Sequence, residues 1–172
     1  MRVEVRDLTR AAMLLALALV VQALRLPQPF TGPAINAILI LAIPLVGGLA
    51  GVLIGFITPW VAVLTGILPP PVAPFAPFIM LGNALLCISF AALRRISAWL
   101  AAGAAAVIKF LWLAASVRYL AALFRIALPA KVAATFQLPQ LYTALAGGLI
   151  ALIIMALPSF RRLTGESESR SH

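Results

Sequence analysis

Between Arg10 and Thr164 the chain carries no aspartate or glutamate; its four acids, Glu4, Asp7, Glu166 and Glu168, all sit in the terminal tails. The carboxylate-free stretch is almost continuously apolar and falls into runs near the ~20 residues that a helix needs to cross a hydrocarbon layer about 30 Å thick. With 64% of residues hydrophobic and 10% charged, the composition is far from the roughly 45–50% and about 25% of soluble domains. The sequence therefore predicts an all-α membrane protein. It also restricts the chemistry, because no internal carboxylate is available as general acid, general base, proton relay or metal ligand. The single Cys87 and the single His172 supply neither a disulfide framework nor a His/Cys metal centre. No cofactor, no metal and no enzymatic activity are expected. The net charge of +9 is dispersed between apolar runs, which fits membrane orientation better than nucleic-acid binding.

Six spans are expected. The first runs from about Leu8 to Leu26 and stops before Pro27 and Pro29. Its length, and the spans that follow, favour a retained helix over a cleaved signal. A short second span, Ala34 to Val46, is separated by Gly47-Gly48 from a third that ends near Leu68. The segment Pro69-Pro70-Pro71 with Pro74 and Pro77 is unsuited to a helix interior. A fourth span covers about Pro77 to Leu93, a long fifth Ser97 to about Leu123, and a sixth Pro139 to about Phe160. Residues 1–163 are thus read as one six-helix domain and 164–172 as a disordered cytoplasmic tail. With the N-terminus inside, Arg2, Arg6, Arg10, Arg94, Arg95, Arg161 and Arg162 are cytoplasmic, against Arg25, Arg125 and Lys131 outside and Arg118 near that surface. The imbalance places both termini in the cytoplasm.

Small residues mark where helices approach closely in lipid. In the third span Gly48, Gly51, Gly55, Thr58, Ala62 and Thr65 alternate steps of three and four, which puts them on one stripe. That stripe is expected to be an intramolecular seam. Ala12 and Ala16 form a small-xxx-small pair that serves either packing inside the bundle or docking onto a separate membrane subunit.

The polar residues inside the spans carry the functional signal. An ionisable group there costs roughly 2.5–3.5 kcal/mol on insertion scales, and Lys109 lies about twelve residues into the fifth span. Ala102, Ala105, Trp112, Ser116 and Tyr119 share its stripe, so one face grades from small residues to a cation, an indole and two hydroxyls. Such a face suits a ligand cavity, although Lys109 also suits a structural bond to a neighbour such as Asn83. Gln140 and Thr143 share a face of the sixth span with Gly147, Asn36 opens the second span, and Arg25 closes the first beside Gln22. The expected binding set is therefore Lys109, Trp112, Ser116, Tyr119, Asn83, Gln140, Thr143, Asn36 and Arg25. With no buried acid to neutralise the cations, the expected ligand is neutral or anionic.

The basic N-terminus leading into Ala12-Met-Leu-Leu-Ala16, the short second span joined through Gly47-Gly48 to the Gly51/Gly55 helix, the Pro-rich loop before Ile79-Met-Leu-Gly-Asn83 and the Pro139-Gln-Leu-Tyr-Thr start of the sixth span together resemble the substrate-binding S component of energy-coupling factor (ECF) transporters. The resemblance covers roughly residues 8–162. It implies a six-helix bundle binding a vitamin or related micronutrient near the extracellular face, in a pocket built from three outer loops and helices four to six. It further implies docking through Ala12 and Ala16 onto a transmembrane T subunit that carries two cytoplasmic ATPases. The absence of a G-x-x-x-x-G-K-[ST] phosphate loop here agrees with ATP chemistry on those partners. Metal-binding relatives use an N-terminal Met-His, whereas Arg2 follows Met1 here. The alternative is a structural membrane protein of the MreD type, using its polar face for partner contacts.

Overall fold

A computed structural model describes residues 4–164, apart from the side chain of Pro71. Within them the chain is helical with no strand. Six long helices form the bundle: α1 (Val5–Ala23), α2 (Gln28–Leu45), α3 (Gly48–Leu64), α4 (Ala76–Leu93), α5 (Ala98–Ala115) and α8 (Leu138–Ala156). A 3-10 segment, Pro70–Phe75, precedes α4. A π-helical turn, Ser116–Leu120, carries α5 into the stub α6 (Ala121–Leu123), and short helices α7 (Ala130–Thr135) and α9 (Pro158–Thr164) flank α8. Four stretches, Gln28–Leu45, Val72–Leu93, Ala98–Leu123 and Ala130–Ala156, are long and apolar enough to cross a membrane, and Gly48–Leu64 is a shorter apolar helix. Arg6, Asp7 and Arg10 occupy the start of α1 and shorten its apolar length.

The expected boundaries shift where proline acts. The second helix begins at Gln28 rather than Ala34, because Pro29 falls in its first turn, where an N–H has no intrahelical acceptor; Pro33 is accommodated inside. The sixth span is not continuous to Phe160. Leu157 is extended (φ −67°, ψ 137°), as the residue before a proline prefers, and α9 starts anew at Pro158. The third helix stops at Leu64, with Gly66 at φ 67° turning the chain. The fifth loses its α register at the π turn. Thr164, expected to begin the tail, is the last residue of α9, and residues 165–172 lie outside the described residues.

Helix α2 is the centre of the bundle. Its residues 36–43 are all buried, which is why the segment is apolar all round rather than amphipathic. It packs against α1, α3, α4 and α8. The closest approach is to α8: a Cβ at Gly147 would stand 2.6 Å from the carbonyl oxygen of Pro33 and 2.6 Å from Cβ of Asn36. On the other side Gly51 and Gly55 admit α4 and α2 to α3; a Cβ at Gly55 would meet Cβ of Asn83 at 2.9 Å. The glycine stripe is therefore the intramolecular seam that its spacing implied. Ala12 and Ala16, by contrast, are exposed beside Met13, Leu17 and Val20, while Ala18 and Gln22 of the same helix face inward. The pair does not pack inside the bundle.

The two ends of the bundle differ. One gathers the start of α1, the end of α2 and α9, tied by the Arg10 guanidinium, which donates to the carbonyls of Leu45 (3.2 Å) and Leu163 (2.9 Å). At the other, long connections fold over the helices. There Phe75 stacks on Phe78 (centroids 5.2 Å apart) and meets Phe136 (4.9 Å), over a small core of Val72, Leu113 and Ala121. Aromatic pairs of this kind add about 0.5–1.5 kcal/mol beyond their burial. The loops at this end are thereby pinned into a roof.

Candidate functional site

The site grows from one proline. Pro59 inside α3 has no N–H, so the carbonyl of Gly55, four residues back, loses its helical partner. Asn83 of α4 supplies the missing donor: its Nδ2 lies 2.9 Å from the Gly55 oxygen. That bond orients the amide, and its Oδ1 accepts from Lys109 Nζ at 2.8 Å. A second amide oxygen, Oδ1 of Asn36 on α2, accepts from the same Nζ at 2.6 Å. Three helices thus converge on one ammonium, which is only 4% exposed. The two amide dipoles solvate the charge without neutralising it, and no carboxylate exists between residues 11 and 163 to do so.

Lys109, Asn36 and Asn83 line a cavity of about 280 Å³ beneath the aromatic roof. Gln22, Gln28, Thr31, Thr58, Thr135, Phe136 and Gln140 also line it, with apolar walls that include Ile35, Ala62 and Ile79. Exposed Gln28 and Pro69 mark its mouth at the looped end. A concave, mostly apolar space with a few convergent polar groups is the ordinary form of a small-molecule site. Of the polar residues expected from the sequence to converge, Asn36, Asn83, Lys109 and Gln140 line this cavity.

The remaining sequence candidates sit elsewhere. Trp112 donates its indole N–H to the carbonyl of Phe78 at 2.9 Å and braces α4 against α5. Ser116 is fully buried and donates back to the carbonyl of Trp112 at 2.7 Å, inside the π turn. That turn widens the helix from i→i+4 to i→i+5 bonding, so residues along it rotate away from the Lys109 stripe. Tyr119 accordingly ends 65% exposed, beside the Arg118 guanidinium. Thr143 faces Gly32, where a Cβ would stand 2.8 Å from its own, so it serves the α2–α8 contact. Arg25 is exposed, at φ 49° just past α1, and donates to the carbonyl of Thr65 at 3.3 Å.

Most of the lining residues were not among the sequence candidates, and two of them carry polar groups that bear on the site. Gln22, on the inward face of α1, donates Nε2 to the carbonyl of Thr58 at 3.1 Å. Thr58 carries the only threonine hydroxyl among the described residues that makes no bond to a backbone carbonyl. Gln22 sat beside the more conspicuous Arg25, and Thr58 was absorbed into the small-residue stripe. The spacing of Gln22 from Ala18, which puts both on one face, was the available signal.

The family model of ECF transporter substrate-specific components matches residues 6–158. No curated relative and no solved structure matches the chain. The match spans every long helix and all the residues around Lys109. The chain is an integral membrane protein and belongs to the family of ECF transporter substrate-specific components.

Proposed function

We infer that this substrate-specific component takes up a vitamin or related micronutrient, neutral or anionic, across a prokaryotic plasma membrane, and that the cavity above Lys109 is where the solute binds. The observation that carries the reading is the buried Lys109 ammonium, held by Asn36 and Asn83 in the wall of a mostly apolar cavity. Burying an ammonium is costly; a solute acceptor or anion meeting it gives the arrangement a use. The looped end faces outward and both termini lie in the cytoplasm, with all six long helices crossing the bilayer, as the Lys/Arg asymmetry favours. Substrate-specific components of this kind work with T and ATPase modules. Here a transmembrane T subunit with two cytoplasmic ATPases docks on the exposed Ala12/Ala16 face, whose small residues admit close helix approach.

The test is to purify the full chain in lipid nanodiscs and release any bound solute by denaturing extraction for mass spectrometry. Uptake of that solute into vesicles holding the chain with its T and ATPase subunits is then measured with and without ATP. A co-purified vitamin-like solute whose uptake needs ATP is expected. An empty protein under every growth condition, with no thermal shift across a vitamin panel, would overturn the reading.

A further inference from the structure

Among the described residues, only two buried side-chain polar atoms have no hydrogen-bond partner, Oε1 of Gln22 and Oγ1 of Thr58, and both residues line this one cavity. Gln22 is 9% exposed and Thr58 1%. Buried polar atoms in folded proteins are nearly always satisfied, and those that are not call for a partner. The six other threonines each donate to a backbone carbonyl, Thr9 to Val5 and Thr65 to Val61 among them. Thr58, just before Pro59 on α3 and with the Ile54 carbonyl four residues behind it, does not. The Gln22 amide is oriented, because its Nε2 is engaged with the Thr58 carbonyl. Its oxygen therefore presents acceptor capacity alone.

The opposite pole of the cavity has the reverse character. Lys109 Nζ has three N–H donors, of which Asn36 and Asn83 take two. One remains, with an uncompensated positive charge behind it. Thr58 lies three residues beyond Gly55, the anchor of Asn83, a rise of about 4.5 Å along α3. The cavity itself, at about 280 Å³, lies just below the roughly 300–1,000 Å³ of sites for drug-sized ligands.

We propose that the substrate is a small bipolar molecule: an anionic oxygen group, most simply a carboxylate, meets Lys109, and an amide N–H or hydroxyl about one helical turn away donates to Gln22 Oε1 and Thr58 Oγ1. This rests on the cavity being the substrate site and adds helices α1 and α3 to the elements that read the solute. It also places a substrate contact on the same helix as the exposed Ala12 and Ala16, ten and six residues from Gln22. A cavity of about 280 Å³ suits a small solute, and a larger one would extend out through the mouth beside Gln28 and Pro69.

The test uses the full chain in nanodiscs and a panel of small amido- and hydroxy-carboxylates. Each compound is paired with two twins, one with the carboxylate replaced by a neutral carboxamide and one with the donor N–H or O–H capped by methyl. Expected are binding of at least one parent compound and weakening of about tenfold or more for each of its twins, close to 1.4 kcal/mol apiece. Gln22→Met and Thr58→Val should abolish the preference for parent over methyl-capped twin, while Thr58→Ser keeps it. A capped twin that binds the unaltered protein as tightly as its parent overturns the donor pole while leaving the transport reading standing. A co-purified solute lacking the anionic group overturns the Lys109 pole, and one lacking the N–H or O–H donor overturns the donor pole, again with the transport reading left standing. If no solute is retained and the complete transporter moves none, both readings fall together.

Discussion

The ammonium of Lys109 and the amide oxygen of Asn36, 73 residues apart in the chain, meet at 2.6 Å in the middle of the bundle. Lys109→Met removes a buried charge, which relieves roughly 2.5–3.5 kcal/mol, and strands two amide oxygens, which costs about 1–3 kcal/mol each. These effects nearly cancel, so thermal melts without ligand should move by about 1 kcal/mol or less. Binding of the co-purified solute should weaken more than tenfold. Tyr119→Ala, on the exposed side of the π turn, should change binding less than about twofold. Calorimetry of both variants decides; a Lys109→Met protein that binds normally removes the cation from the site.

Pro59 and Asn83 should be energetically coupled through the Gly55 carbonyl. In the native background Asn83→Ala leaves that oxygen without a partner, at a cost of about 1–3 kcal/mol. After Pro59→Ala the new amide at position 59 supplies the bond, so Asn83→Ala should cost less by about 1 kcal/mol. A double-mutant cycle of melting free energies measures this directly. Additive losses would show that the two residues act separately.

Glycines 147 and 103 should respond oppositely to the same substitution. A Cβ at Gly147 would press on the Pro33 carbonyl and on Asn36, backbone and site together, whereas one at Gly103 meets nothing within 4 Å. Gly147→Ala should therefore destabilise by about 1–3 kcal/mol through overpacking and weaken binding by moving Asn36. Gly103→Ala should stabilise by about 0.5–1 kcal/mol, as alanine does in a helix interior. Melting curves and solute titrations of the pair check both statements.

Ala16→Trp places a large side chain on the outward face of α1. Stability should stay within about 0.5 kcal/mol of the parent, and solute binding should be unchanged. Co-purification with the T subunit, and ATP-driven uptake with it, should be lost. Retained uptake would move the docking surface elsewhere.

Much of this protein was legible along the chain. A sequence without a carboxylate from residue 11 to 163, and apolar in runs of helical length, points to bilayer helices, because a lipid interior demands internally satisfied backbone. The 3/4 spacing of Gly51, Gly55 and Thr58 made the seam visible, and the isolated charge of Lys109 pointed to the candidate site, since neither depends on what lies opposite. What lies opposite was settled only by the tertiary structure. Pro59 was needed to free the carbonyl that aims Asn83, the π turn to swing Tyr119 out, and the α2–α8 contact to assign Thr143 to packing and Gln140 to the cavity. Gln22 and Thr58 became site residues only when α1 and α3 came together. Periodicity reports which face of a helix a residue occupies; the partner of that face is a matter of register between helices, a non-local property that no single segment encodes.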